Sequence, residues 1–253
     1  MREIIFEVFK KRIATIDSFL GAPLDCAKLA GAVFMVADHA NLILLKGEAP
    51  GLRLFGRIAF PLFCFVLACH LIKEFNIGKY VARLIVFGAL TQPIFSWAFL
   101  GAHSGNILFT LAVGATLAEF LNRQTLLLQH LILAIASAAI FFIPYSARSG
   151  VDFGMAGMFF TAPILLILNG KRSHVIWLFV LAIGLNARVV RPVDLAWFTD
   201  DFVDLLVIVV GTSAVLAFCL TFAERRRFLP RYVLYVFYPA HLAILAGMRS
   251  LLN

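Results

Sequence analysis

Charged residues are scarce in this chain. Only 14% of its 253 residues are Asp, Glu, Lys or Arg, whereas 62% are hydrophobic and 26 are Phe. In a soluble domain roughly a quarter of all residues are charged, so this composition excludes an ordinary soluble protein. The formal net charge is +8. The basic residues lie in short segments between apolar runs, which indicates membrane topology rather than nucleic-acid binding.

Cysteine is also rare, and familiar cofactor motifs are missing. The four cysteines, at positions 26, 64, 69 and 219, form no CxxC pair, which argues against a disulfide framework or a zinc site. We therefore predict no metal. There is no Walker loop, so any site for a phosphate-bearing ligand must be built from helix ends and loops. Residues 1–24 lack the apolar core and cleavage site of a signal peptide, so we expect them to remain on the mature chain.

Long apolar runs dominate the rest of the sequence. Each has about 18 to 22 residues, enough to cross roughly 30 Å of hydrocarbon as a helix. No strand-like alternation separates them, so we predict an all-α, polytopic transmembrane helical bundle rather than a barrel. Residues 25–253 would form a single transmembrane domain of about nine spans. The predicted spans are 26–45, 54–73, 80–100, 105–121, 125–144, 153–169, 174–190, 202–221 and 231–250.

The N-terminal segment, residues 1–24, has a different pattern. Apolar residues at 5, 9, 13, 16 and 20 fall on one helical stripe, which predicts an amphipathic interfacial helix ended by Gly21 and Pro23. If the N-terminus is cytoplasmic, 15 of the 22 Lys and Arg residues lie on the inside. The positive-inside rule therefore favours a cytoplasmic N-terminus and a C-terminus outside.

Several predicted spans contain polar residues. Asp38 and His39 are adjacent in the first span, where an unpaired ionisable group costs several kcal/mol and is a functional candidate by default. Arg57 lies about one turn into the second span and needs an anion, either Asp38 or a ligand phosphate or carboxylate. Tyr238 and His241 lie about one turn apart in the last span. The alternative is a purely structural network of these side chains.

The loop between the third and fourth spans is polar but uncharged. It contains Gln92, His103, Ser104 and Asn106, which suits the rim of a cavity, although Asn106 could equally cap a helix. From their depth alone, we predict one pocket near the middle or outer half of the membrane. Its residues would be Asp38, His39, Arg57, Asn106, Tyr238 and His241.

Five sequence pieces occur in order on the predicted spans: DH (38–39), GRIAFPLFCF (56–65), RLIVFGALTQ (83–92), NILFTLAVG (106–114) and YVFYPAHLAIL (235–245). With these pieces, residues from about 26 to 250 resemble the TraX family, named for the conjugation protein that acetylates the N-terminus of F-type pilin, and related TrbP-like conjugal transfer proteins. The resemblance implies a membrane acetyltransferase that uses acetyl-CoA and modifies a pilin subunit. It also implies the inner membrane of a Gram-negative bacterium, with the lipid bilayer and the conjugative transfer machinery as partners.

The chemistry of acetyl transfer assigns roles to the polar residues. His39 is expected to be the general base, because its ordinary pKa lies near working pH. Asp38 would orient or polarise the site, and His241 would assist from another helix. Either histidine could instead carry the acetyl group covalently. We predict that substrate contacts come from Arg57, Asn106, Tyr238 and Gln92.

The phosphates of coenzyme A require basic residues on the cytoplasmic side. We predict Lys79, Arg83, Lys171 and Arg172 for this role, although simple positive-inside anchoring is the favoured explanation for their position. Other functions remain open. The chain could be a non-catalytic protein that binds or inserts pilin, an acyltransferase with a different acceptor, or a transporter. Several carboxylates at midplane depth would favour a transporter, but Asp38 is the one carboxylate that we predict at this depth.

Overall fold

The structure is a computed structural model that describes residues 21–73, 76–101, 104–142, 152–186, 195–222 and 226–252. Within these ranges every regular element is helical, as predicted. The interfacial helix expected over residues 1–24 lies almost wholly outside them. The helices are α1 (Ala22–Ile43), α2 (Pro50–Gly56), α3 (Ala59–Lys73), α4 (Ile77–Ala98), α5 (Ile107–Asn122), α6 (Leu126–Phe142), α7 (Gly154–Leu168), α8 (Val175–Asn186), α9 (Leu195–Leu220) and α10 (Val233–Leu252), with a short 3₁₀ helix (Arg172–His174) before α8.

Four helical stretches are long and apolar enough to cross a membrane. They are Ala22–Ile43, Pro50–Lys73, Ile77–Ala98 and Val203–Leu220. Four further apolar helices have only 10–17 residues. Each predicted span contains a described helix, but the number of nine crossings stays a prediction.

The first helix begins earlier than expected. Gly21 has a φ of 90°, in the left-handed region, and α1 starts at Ala22 with Pro23 in its first turn. The first-turn N–H groups have no partner within a helix, so proline costs nothing there. Pro23 therefore opens α1 and does not end the preceding segment. The domain boundary predicted after residue 24 falls inside the first turn of α1.

The predicted second span is interrupted near its start. Helix α2 ends at Gly56, and α3 begins at Ala59 after a turn at residues 57 and 58. Pro61 has no N–H to donate to the carbonyl of Arg57, which weakens the helix at this point. The interruption directly follows Gly56, which lies against Asp38 of α1.

Helices α3 and α7 lie at the centre of the bundle. Leu62, Cys64 and Ala68 of α3 are fully buried. Helix α7 packs closely on α5, where a Cβ added to Gly114 would lie 3.3 Å from the carbonyl oxygen of Met158. Small residues allow membrane helices to approach in this way.

A buried carboxylate ties the two ends of the described chain together. Asp25 of α1 is 0% exposed and accepts a hydrogen bond of 2.9 Å from Lys28 Nζ. It also accepts hydrogen bonds of 3.0 Å from the main-chain N–H groups of Phe228 and Leu229. Arg227 Nε lies 3.8 Å from the same carboxylate. The segment that leads into α10 is therefore anchored on the beginning of α1.

Candidate functional site

A cavity of about 390 Å³ lies among α1, α2, α3, α4, α7 and α8. Its apolar wall is made largely of phenylalanine rings. Its polar residues include two carboxylates, two guanidinium groups and one histidine: Asp38, Asp152, Arg53, Arg57 and His39. The cavity therefore combines a potential base with charges of both signs.

The central feature is a pair of histidines from the first and last described helices. His39 Nδ1 lies 2.8 Å from His241 Nε2, and the two rings are almost coplanar, with an angle of 6° between them. Both residues are largely buried, with 8% and 6% exposure. The edge of Phe99 packs on His39, and the ring of Phe237 stacks on His241. These contacts fix both imidazoles.

The hydrogen-bond pattern determines the tautomers of the neutral pair. His241 Nδ1 lies 3.0 Å from the main-chain oxygen of Phe237, which can only accept, so His241 Nδ1 donates. In neutral imidazole the other nitrogen is then an acceptor, so His39 Nδ1 must donate to His241 Nε2. His39 Nε2 is left with a lone pair. This second nitrogen can accept a proton in the cavity.

Asp38 is positioned by a very close approach between α1 and α2. A Cβ added to Gly56 would overlap the Cβ of Asp38 and lie 2.8 Å from its Cα. Only glycine allows the two backbones to come this close. Gly56 therefore sets the position of the Asp38–His39 segment relative to α2 and to Arg57 at its end.

Arg57 and Asp152 both line the cavity. Arg57 donates from Nη1 to the carbonyl oxygen of Leu185, at 3.0 Å. Asp152 lies in the turn before α7, where its Oδ1 accepts a hydrogen bond from the N–H of Phe153. Burial, with a further contribution from the Asp38 charge, raises the pKa of Asp152 to about 6. This carboxyl group can change its protonation state near neutral pH.

Asn106 and Gln92 form a network beside the cavity rather than in its wall. Asn106 Oδ1 caps α5 by accepting from the N–H of Leu108, and its Nδ2 donates to Gly88 O and to Gln92 Oε1. Gln92 Nε2 donates to the carbonyl of Ser104, which lines the cavity. These contacts are structural ones. The predicted role of both residues in substrate binding stays a prediction.

Tyr238 lies next to the histidine pair. Its ring centroid is 5.7 Å from that of His241 and 6.4 Å from that of His39. The residue is 3% exposed, and its hydroxyl group has no hydrogen-bond partner within the described residues. Tyr238 lines neither of the two cavities, so its predicted role in substrate binding stays a prediction.

The four residues predicted to bind coenzyme A lie in two separate segments of the chain. Arg83 lines a second cavity. Lys79 is exposed at the start of α4, and Lys171 and Arg172 lie at the turn between α7 and α8. Across the ranges described above, no group of three or more His, Cys, Asp or Glu residues is arranged to hold a metal ion.

Two residues of the first cavity were not predicted from the sequence. Arg53 lies on α2, one turn before Arg57, and Asp152 directly precedes α7. A sequence signal for Asp152 exists, because it stands at the predicted outer end of the sixth span. Asp38 and Arg57 were predicted to lie at a similar depth.

Comparisons with known proteins identify one family model and one relative. The family model described as "TraX protein" matches residues 24–249. The chain is also 28% identical over 245 residues to "Probable fimbrial assembly protein FimC, serogroup H1" of Dichelobacter nodosus, with 89% of this chain and 95% of that protein covered. No solved structure matches the chain.

Proposed function

Because the chain belongs to the TraX family, we propose that it is a membrane acetyltransferase. It transfers an acetyl group from acetyl-CoA to the N-terminal amine of a pilin subunit during pilus assembly. The name of the relative in Dichelobacter nodosus, a fimbrial assembly protein, supports the link to pili. The proposal includes a location in the bacterial inner membrane, with the N-terminus in the cytoplasm and conjugative transfer machinery as a neighbour.

His39 is the general base in this reaction. The donor and acceptor roles in the histidine pair leave Nε2 of His39 available to take a proton. When it does, His241 Nε2 still accepts from His39 Nδ1, so the pair stabilises the imidazolium form. A second residue that orients the base in this way is a common arrangement in acyl transfer.

The surrounding charges suit an amine acceptor and an acyl donor. Asp38 and Asp152 attract the N-terminal ammonium group into the cavity. Arg53 and Arg57 supply positive charge for the oxygen of the tetrahedral intermediate. The phenylalanine wall excludes water, which favours aminolysis of the thioester over its hydrolysis.

The reaction is balanced without a metal or redox partner. The ammonium group first releases one proton to water. The neutral amine nitrogen then forms a bond to the acetyl carbonyl carbon and gives a second proton to His39. The carbon–sulfur bond then breaks, and the departing thiolate takes the proton. The products are the N-acetylated pilin and coenzyme A.

The hydrogen bond between His39 and His241 carries this proposal. The test is the intact mass of pilin from cells that express the pilus genes with the wild-type protein, His39→Gln, His241→Gln or no protein. Wild-type protein should add one acetyl group, which fragmentation should locate at the N-terminus. His39→Gln should abolish the modification, and His241→Gln should reduce it strongly.

His130→Gln is the matched control. His130 contacts Ser173 and Trp177 and does not line the cavity, so acetylation should persist. If His39→Gln still yields acetylated pilin at the wild-type level, His39 is not the base. If neither the variants nor the wild-type protein modifies pilin, but pilin still copurifies with the chain, the enzyme proposal is rejected and the chain is a pilin-binding protein.

A further inference from the structure

A second cavity, of about 340 Å³, contains a cluster of basic residues. They come from α1, α3, α4 and the segment that leads into α10: Lys28, His70, Arg83, Arg227 and Arg231. The lining contains no Asp or Glu. The nearby carboxylate of Asp25, outside this lining, binds Lys28 and lies 3.8 Å from Nε of Arg227. The cavity is therefore suited to an anion of high charge.

The two cavities meet at a thin partition. Met35, Phe63 and Ile107 line both of them. Along α1, Lys28 lies in the basic cavity, Met35 at the partition and His39 in the other cavity. Eleven residues of α-helix separate Lys28 from His39, a distance of about 16 Å. A long and flexible arm can cover this distance.

We propose that the second cavity binds the phosphates of the acyl donor, and that its thioester arm passes between Met35, Phe63 and Ile107 to reach His39. This inference rests on the proposed acetyl transfer. Coenzyme A has the required form, because its phosphates lie at one end and its thiol lies at the end of a narrow chain. The acceptor amine then meets the thioester in the acidic cavity. The donor and acceptor enter from opposite ends.

Aromatic residues beside the basic groups support a nucleotide rather than a simple inorganic anion. Arg83 lies over the ring of Tyr80, with 5.4 Å from Cζ to the ring centroid, and Arg231 lies over Tyr232 at 5.6 Å. Tyr80, Tyr232 and Tyr235 all line the cavity. Such rings offer flat surfaces for an adenine base.

The partition is closed by side chains that can change rotamer rather than by main chain. A Cβ added to Gly31 would lie 3.1 Å from Cζ of Phe63, so the ring of Phe63 fills the space that a larger residue at position 31 would take. Methionine at position 35 is unbranched and flexible. A narrow chain can pass here when these side chains change rotamer.

The first test is binding of coenzyme A to the full-length protein in nanodiscs of phosphatidylcholine, a neutral lipid. Arg83→Gln and Arg231→Gln should each weaken binding by roughly 10- to 100-fold, since each removes a charge-assisted contact. Arg123→Gln is the control, because Arg123 pairs with Glu119 and lines neither cavity. It should bind like wild type.

Three results would overturn the proposal. The first is that Arg83→Gln and Arg231→Gln both bind coenzyme A as tightly as the wild-type protein does. The second is a larger loss with Lys171→Gln, which would move the site to the turn between α7 and α8. The third is a cavity filled by an anionic lipid: phosphatidylglycerol would copurify with the wild-type protein but not with Arg83→Gln, and coenzyme A would not bind.

The second test asks whether the thioester arm of coenzyme A passes through the partition. In Met35→Cys, the new thiolate should attack the coenzyme A sulfur of coenzyme A 2-pyridyl disulfide, so that the S–S bond breaks and 2-thiopyridone leaves. The protein should gain one coenzyme A, and adenosine 3′,5′-bisphosphate should slow the reaction. Leu126→Cys, at the exposed start of α6, should react without this competition. The wild-type chain gives the background from its own cysteines.

If Met35→Cys is labelled no faster than wild type, the arm does not pass the partition. These outcomes are separate from those of the pilin test. Normal binding and labelling with no acetylated pilin would reject the proposed acceptor alone. Acetylated pilin with unchanged coenzyme A binding in Arg83→Gln and Arg231→Gln would reject the cavity alone.

Discussion

The close contact at Gly56 predicts a large effect from a single methyl group. In Gly56→Ala the new Cβ would overlap the Cβ of Asp38 and lie 2.8 Å from its Cα and 2.9 Å from its nitrogen. Non-bonded carbon atoms prefer about 3.5–4.0 Å, so α1 and α2 must separate by roughly 1 Å. The hydrogen bond between His39 Nδ1 and His241 Nε2 has an N–N distance of 2.8 Å. A shift of that size takes it beyond the useful range of about 3.2 Å.

We therefore expect Gly56→Ala to lower the rate of acetyl transfer by about 100-fold and to destabilise the protein by about 1–3 kcal/mol. The assay is the initial rate of pilin acetylation in nanodiscs, together with the thermal unfolding of the same samples. Gly51→Ala is the matched control on the same helix, because a Cβ there meets nothing within 4 Å. Alanine also favours a helix over glycine by up to about 1 kcal/mol.

Gly51→Ala should be active and at least as stable as the wild-type protein. If Gly56→Ala keeps both the wild-type rate and the wild-type melting temperature, the contact with Asp38 does not position His39. If Gly56→Ala loses stability but keeps its rate, the contact supports folding and the histidine pair tolerates displacement. Either result would refute the reasoning for the rate.

Three further substitutions test other parts of the site. Asp152→Asn keeps the acceptor for the N–H of Phe153 but removes a carboxyl group whose pKa is raised by burial from 3.8 to about 6. The wild type therefore loses stability as the pH rises from about 4 to 6. At pH 7 the variant should be more stable by on the order of 3 kcal/mol and should melt at a higher temperature. At pH 4 the two proteins should melt at the same temperature. Tyr238→Phe should raise the melting temperature, because a buried hydroxyl group without a partner costs about 1–3 kcal/mol; a lower melting temperature would contradict this. Asn106→Asp keeps the helix cap but loses the donor to Gly88 O, so thermal unfolding should show a loss of about 1–3 kcal/mol, and an unchanged melting temperature would argue against the network.

Much of the fold could be predicted because apolar length and period determine where helices form. Details at the helix ends were harder. Pro23 was expected to end a helix, but it opens α1, because proline is tolerated in a first turn as well as after a last one. Pro61 removes one helical hydrogen bond near the start of the second span. Whether it bends or divides the helix depends on packing, in this case on the approach of Gly56 to α1.

The site was harder to predict than the fold. Depth in the membrane placed His39 and His241 at a similar level, and the structure brings them into contact. Depth does not determine which helices are neighbours. For this reason Lys171 and Arg172 were grouped with Arg83 from their charge and side of the membrane, although they lie at a different turn. Asp152 was missed because its partners in the cavity come from distant parts of the chain.

The hydrogen bonds of Asp25 and His39 connect parts of the chain that are synthesised at different times. The main-chain donors to Asp25 follow it by 203 and 204 residues, and His241 follows His39 by 202. At about 5–20 residues per second, a ribosome needs on the order of 10–40 s to make that stretch. During this interval α1 is in the bilayer with Lys28 as an early partner for Asp25. The histidine pair can form only after α10 has been made.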